Sequence, residues 1–455
     1  MTVHRQVLRR QRKGDQMRWR RLFQGIVVAA VAMLFASACL GEEGGGGGNT
    51  GGQTGAGDKS IEIMYGFGGD QSKGFTETMK QFESQSGIKI KFTDASQSFD
   101  TLIRPRVQGN NPPDIALFPQ PGLMLDFAKQ GKLQDLSTML DINKLKGALV
   151  PGVLDVATQD NKTYGFPVNF NVKSLVWYPK KAFEAKGYKV PTTIAELEAL
   201  TEQIKADGTA PWCVGMESAG ATGWVATDWV EDFVLRYGGT QKYDQWVKHE
   251  IPFTDPVVKQ AAGEFEKLAL ADGNVFGGRK SVVSTNFGVA MNPMFQDPPK
   301  CFLHRQGNFI TQKGFLTEKV RQNLDQEVGV FQLPGTDASS KPLLVGGDMA
   351  AAFSNDEDTK KALEFMSSPD FKFSNIATST WLSAVKAFDL SNYPDETTKT
   401  VAKLAYESTE SRFDGSDTMP GAVGAGSFWK DMTAWVSGQK SLDEALKDID
   451  DSWPS

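Results

Sequence analysis

The stretch TYGFPVNFNVKSLVWYP, residues 163–179, decides the fold. It is long, rich in β-branched and aromatic residues, free of helical period, and interrupted only by Pro167. It reads as an extended segment crossing from one sheet-building region to another, because a different rhythm runs on each side of it. Upstream, KSIEIMYGF predicts a strand with Ile61 and Ile63 on one face. SKGFTETMKQFESQSG then sets Phe75, Met79 and Phe82 at helical spacing and stops at Gly87. IKIKFTDA alternates as a second strand, FDTLIRPRVQG is helical, and residues 114–118 form a third strand after the Asn-Asn-Pro-Pro turn. Downstream, PTTIAELEALTEQIKADG predicts a helix capped by Thr192 or Thr193 and ended by Gly208. VGVFQLPG and KPLLVGGDMAAAF are later strands, KKALEFMSSP is a short helix, and the order of these pieces predicts that the chain crosses back. Strands alternating with helices imply an α/β class with mostly parallel sheets.

The chain has 455 residues and a formal net charge of −6. That length exceeds a single hydrophobic core, so two domains are expected. The N-terminus holds a basic cluster (Arg18, Arg20, Arg21), an apolar run from Ile26 to Phe35, and the small residues Ala36, Ser37 and Ala38 before Cys39. This predicts a signal peptide over 1–38, with translation starting at Met1 or Met17. Cys39 sits where a lipobox would lipidate it, although Ala36 stands where leucine is usual; a thiol within an ordinary cleaved leader is the other reading. Residues 39–58 are glycine-rich and unable to bury apolar surface, which predicts a flexible tether. Residues 1–38 carry eight Lys/Arg against one Asp, so the mature chain is more acidic than the whole. An acidic body does not suit nucleic acid or anionic lipid. Cys213 and Cys301 then remain as an even pair in an exported chain, expected as one disulfide with two buried free thiols as the alternative. Three scattered histidines and no HExxH leave a zinc site without support, and no P-loop, nucleophile elbow or dinucleotide fingerprint occurs. No cofactor and no metal are expected.

The ordered segments MYGFGGDQSKGF, NNPPDIALFPQPGLMLDFAKQGKLQDL, YGFPVNFNVKSLVWYPKKAFEAKG, KPLLVGGDMAAAFS, TSTWLSAVKAFDL and MPGAVGAGSFWKDM resemble extracellular solute-binding proteins of ABC importers. The closest likeness is to the maltose and α-glucoside branch, and it spans most of 59–455. The resemblance implies a two-lobed periplasmic-binding-protein-like fold with a solute in the cleft. It assigns 59–168 with 332–382 to an N-terminal lobe and 172–328 with 386–455 to a C-terminal lobe. Hinges are implied near 168–172, 329–331 and 383–386.

Sugars need flat aromatic surfaces for their C–H faces and fixed acceptors or donors for their hydroxyls. GWVATDWVEDFVLRYGG concentrates Trp224, Asp228, Trp229 and Asp232, with 224 and 228 sharing a helix face. Both tryptophans also suit helix core, and that reading stands beside the cleft reading. Trp429 matches the branch's stacking aromatic, with interlobe packing as its alternative. Phe118 and Gln120 follow a strand's carboxyl end, as does Asp70 behind Gly68 and Gly69, although Asp70 also fits an ordinary turn. Asn171 replaces a hinge carboxylate of the branch, Asp348 ends a Gly-Gly-Asp run that also suits a plain turn, and Arg412, Asp414 and Asp417 lie in a loop that closes over the ligand in this reading. Richness in Asp and Trp without cationic runs favours a neutral oligosaccharide, of α-glucoside type, over a charged solute. The expected partners are this ligand, the transmembrane permease subunits and, through the lipid, the membrane's outer face or the periplasm, with the protein a monomer. The alternatives are a secreted glycoside hydrolase, using Asp228 with Asp348 or Asp414, and a sugar sensor or adhesion lipoprotein without a transporter.

Overall fold

The structure is a computed structural model and describes residues 59–454. The expected signal peptide, Cys39 and the glycine-rich tether lie outside the described residues.

The chain opens with β1 (Ser60–Tyr65), β2 (Lys89–Asp94) and β3 (Ile115–Phe118), connected by helices Gly69–Ser86 and Phe99–Gln108. The first helix buries Phe75, Met79 and Phe82, and ends where Gly87 takes a left-handed conformation, φ 76°. A small hairpin, β4 (Thr158–Gln159) and β5 (Lys162–Thr163), precedes β6 (Phe166–Val172) and β7 (Leu175–Pro179). β8 (Ala210–Trp212), β9 (Cys301–Arg305) and β10 (Val328–Gln332) follow, and then β11 (Leu343–Ala352) and β12 (Ser411–Phe413).

Two sheets result. One runs β12-β11-β3-β1-β2, with β6 also paired to β11; the other runs β10-β7-β9-β8. The sheets are mixed rather than mostly parallel. β11 is antiparallel to β3 and β6, and in the second sheet only β8–β9 is parallel. The cause lies in strands that pass between sheets, which enter their partners against the direction set by the strand-helix units. All ten residues of β11 are buried, as befits a strand covered on both faces.

After Thr163, which ends β5, the extended run 163–179 is two strands of two different sheets. Residues 168–172 lie within the first sheet, and the passage is made at 173–174. The second passage likewise falls at 333–342, after residues 329–331, which belong to β10. The third expected passage, at 383–386, is not one. Leu382 bridges to Phe170 and Val385 to Leu149, and Tyr393, Val401 and Ala405 pack into the first core. Only after β12 has paired with β11 does the chain leave the first sheet, at Asp414, so part of the segment expected in the second lobe builds the first. Three residues of strand in a polar stretch carry too little pattern to be read from sequence.

The first core gathers Phe67, Phe75, Phe373 and Trp381 around β1 and β11. The second surrounds the helix Trp224–Val247, where Trp229 stacks on Phe265 at 4.9 Å and Trp246 meets Phe428 edge-on. Cys213 and Cys301 are disulfide-bonded, joining the end of β8 to its neighbour β9 across 88 residues.

Candidate functional site

A cavity of ≈ 550 Å³ opens between the two sheets. One wall comes from the first sheet: the loops after β1 and β2, Gln120 after β3, and Asn169, Asn171 and Asp348 on β6 and β11. The opposite wall holds Trp224, Phe287, Phe309, Asp417 and Trp429.

Trp224 is the first residue of its helix and partly buried, edge-on to Phe287 at 5.0 Å and to Phe309 at 5.9 Å. Gly223 before it has φ 126°, and a Cβ there would run into the Trp429 backbone. Glycine is therefore what lets the two tryptophan-bearing helix starts meet. Trp429 opens the helix Trp429–Val436, and its indole N–H is buried without a partner among the described residues. Together they form an aromatic wall with an unused donor.

The polar wall depends on a bulge. β11 shifts register against β6 between Asp348 and Met349, and Gly347, at φ 156°, presses so closely on the Asn169 carbonyl that no side chain fits. The bulge brings Asp348 opposite Asn169, whose amide N–H donates to Asp348 Oδ2 at 2.9 Å. Burial pushes the Asp348 carboxyl up to about 7, against the pull of the Asn169 bond and the Lys173 charge.

Lys173 occupies the floor, at the passage between β6 and β7. Its ammonium donates to Asp228 Oδ1 at 3.1 Å and to Asp414, lies 3.7 Å from Asp417, and sits 5.5 Å from the Trp224 ring centroid. Burial disfavours the ammonium, but the Asp228, Asp414 and Asp417 carboxylates outweigh that and raise its pKa. Behind it, Arg305 reaches Asp228 at 3.3 Å and Asp232 at 2.8 Å, Arg236 pairs with Asp232, and Ser174 Oγ donates to Asp232 at 2.7 Å. Asp228, Glu231 and Asp414 bring carboxylate oxygens within 4.8 Å of one another. Lys173 and the backbone N–H groups of Gly415 and Ser416 already serve them, so this is a counter-ion network.

Of the residues singled out from sequence, Gln120, Asn171, Trp224, Asp348, Asp417 and Trp429 line the cavity. The others do not. Phe118 is wholly buried among Phe99, Phe127 and Phe353. Trp229 belongs to the second core, and Asp228 lies one turn below Trp224 in the ion network. Asp70 sits in the first turn of its helix beside Lys73, while its neighbour Gln71 faces the cavity. Arg412 pairs with Asp244, away from the cleft. Sequence reasoning missed Lys173, Asn169 and Gln71. Asn169 was within reach, since a period of two puts it on the same strand face as Asn171. The carboxylate pairs imagined for hydrolysis are not available, because Asp228 and Asp414 are bound to Lys173.

A family model described as bacterial extracellular solute-binding protein matches residues 68–372. The osmoprotective compounds-binding protein of Synechocystis sp. is 38% identical over 397 residues, covering 87% of this chain and 93% of the relative. The alpha-glucosides-binding periplasmic protein of Rhizobium meliloti is 36% identical over 411 residues, covering 87% of each. A solved chitin oligosaccharide binding protein shares the two-lobed fold with a TM-score of 0.71 at 16% identity, over 86% of this chain and 97% of its own. The chain belongs to the bacterial extracellular solute-binding proteins, a family of binding proteins and not of enzymes.

Proposed function

We propose that this protein is the capture subunit of an ABC importer and holds a neutral oligosaccharide of α-glucoside type between its lobes. The observation that carries the reading is the cavity's division into a tryptophan wall and a wall of buried, incompletely satisfied amides and a carboxylate. Aromatic faces suit the C–H surface of a sugar, and fixed polar groups suit its hydroxyls. A neutral solute is favoured because the one ammonium on the floor, Lys173, is already matched by three carboxylates. The Rhizobium meliloti relative, named for binding alpha-glucosides, supports this class of solute. Ligand would favour the closed arrangement by differential affinity, and the permease subunits would read closure.

Cys39 would carry the lipid and residues 40–58 the leash, keeping a monomeric receptor on the outer face of the membrane. Among the described residues no helix is long and apolar enough to cross a membrane. Incorporation of labelled fatty acid, abolished by Cys39→Ala, tests the anchor; an unlabelled wild type rejects it. Function is tested by a thermal-shift screen against mono-, di- and trisaccharides. A ligand at 100 times its Kd stabilises by about 2.7 kcal/mol. A shift confined to α-linked glucosides is expected; no shift with any sugar overturns the reading, and sustained cleavage of nitrophenyl glycosides would return the hydrolase.

A further inference from the structure

Three side chains on the polar wall are linked in a row whose direction is settled by their hydrogen bonds. Asn169 Nδ2 donates to Asp348 Oδ2 at 2.9 Å and to Gln71 Oε1 at 3.3 Å. The Asp348 carboxylate only accepts, so the Asn169 amide has one orientation: its NH₂ points to Asp348, and Oδ1 is left buried without a partner among the described residues. The bond to Asn169 then orients Gln71, whose Nε2 is likewise buried and has no partner among the described residues. The remaining oxygen of Asp348 receives no donor among the described residues. All three line the cavity, and all are more than nine-tenths buried: Gln71 4%, Asn169 1% and Asp348 5% exposed.

Buried polar atoms are rarely left unpaired, and each such atom costs stability. Here three neighbours from three elements leave unused capacity on the same cavity wall, in the order donor, acceptor, acceptor. Resting on the reading of the cleft as a sugar site, we infer that Gln71, Asn169 and Asp348 determine specificity by reading two adjacent hydroxyls of one sugar ring. The first hydroxyl accepts from Gln71 and donates to Asn169; the second donates to Asp348. Asn169 is bonded to both flanking side chains, at 2.9 and 3.3 Å, so the groups presented are immediate neighbours, as the hydroxyls of a vicinal diol are. A ring lacking either hydroxyl leaves a buried group unpaired, an effect of about ten- to a hundredfold in affinity.

The direction of the code is what distinguishes it from general packing. Above about pH 7 Asp348 is a carboxylate and only accepts, so in titrations run at about pH 8 it needs a hydroxyl that donates. A deoxyfluoro sugar keeps the size and a weak acceptor but loses the donor. In D348N the new amide takes the Asn169 bond through its oxygen and offers an N–H to the ligand, so it tolerates fluorine where the carboxylate does not. The experiment is calorimetric titration of wild type, Q71A and D348N with maltose, trehalose and sucrose, and with the monodeoxy and monodeoxyfluoro derivatives of whichever binds. The expected result is a loss of about tenfold or more for two neighbouring deoxy positions of one ring in wild type. D348N should weaken the parent sugar yet narrow the gap between it and one deoxyfluoro derivative. Circular dichroism of the free variants checks that they remain folded. If the wild type binds a parent sugar but no adjacent pair of hydroxyls matters, or D348N leaves the fluoro discrimination unchanged, the diol reader is wrong while the sugar site stands. If none of the sugars binds, both fall together.

Discussion

At the scale of single residues, the same residue type has opposite fates within two turns of helix. Trp224 faces the cavity and Trp229 is core, because Trp212 and Phe265 receive the second, while the neighbours of the first, Phe287 and Phe309, themselves line the cavity. Sequence reveals the tryptophans but not their neighbours, which come from segments far along the chain. Trp429 is clearer, since its approach GAVGAGS has the small residues that a close helix start needs. Trp429→Ala should weaken sugar binding by more than tenfold, about 1.4 kcal/mol, in calorimetry; unchanged affinity would reject the stacking role. Asp348 supports a prediction of the opposite sign for the free protein. Burial raises its carboxyl from 3.8 to about 7, with Lys173 the charged neighbour. Between about pH 4 and 7 the unfolded chain loses this proton while the folded chain keeps it, so stability falls as pH rises through that window. In D348N this slope is absent. The variant's melting advantage over wild type should grow from pH 4 to about 7 and then level off; a pH-independent difference would contradict the assignment.

At the scale of elements, the periodic pieces were legible and the passages between them were not. The helix Ile194–Ala206 begins after Thr193, whose hydroxyl accepts from the Glu196 N–H, and Gly208 follows it in a left-handed turn, as capping rules require. β1, β2 and β3 lie where alternation predicts them. The run 163–179 has no break in propensity to mark where one sheet ends; what divides it is Lys173, whose three carboxylate partners lie on other segments. β12 was illegible for the same reason, being defined only by its partner β11. The expected cysteine pair is bonded, closing a long loop within the second sheet. Its removal releases chain entropy in the unfolded state. C213S/C301S should lower the unfolding free energy by about 2–5 kcal/mol in urea denaturation, while ligand affinity holds, since neither cysteine lines the cavity. Equal midpoints and slopes for variant and parent would show that the bond contributes nothing.

At the scale of the whole molecule, the α/β class and two-lobed plan followed from rhythm and resemblance, and the placement of the cleft followed from strand ends. What sequence left open is how the lobes share the chain. β11 is the fully buried partner of both β3 and β6, yet it is synthesised only after all four strands of the other sheet. Most of the second lobe is thus inserted into the first, with its last helices added after β12, and the first cannot complete its sheet from the segment before residue 173. A fragment of 59–172 should show neither cooperative unfolding nor protected amides in hydrogen exchange, and a cooperative transition would contradict this. The consequence reaches into biosynthesis. A chain emerging from its N-terminus holds β3 and β6 with open edges until some 170 further residues have followed, and such edges invite pairing with other chains. Folding of this protein is therefore ordered by sequence separation, and its earliest segment is among the last to be finished.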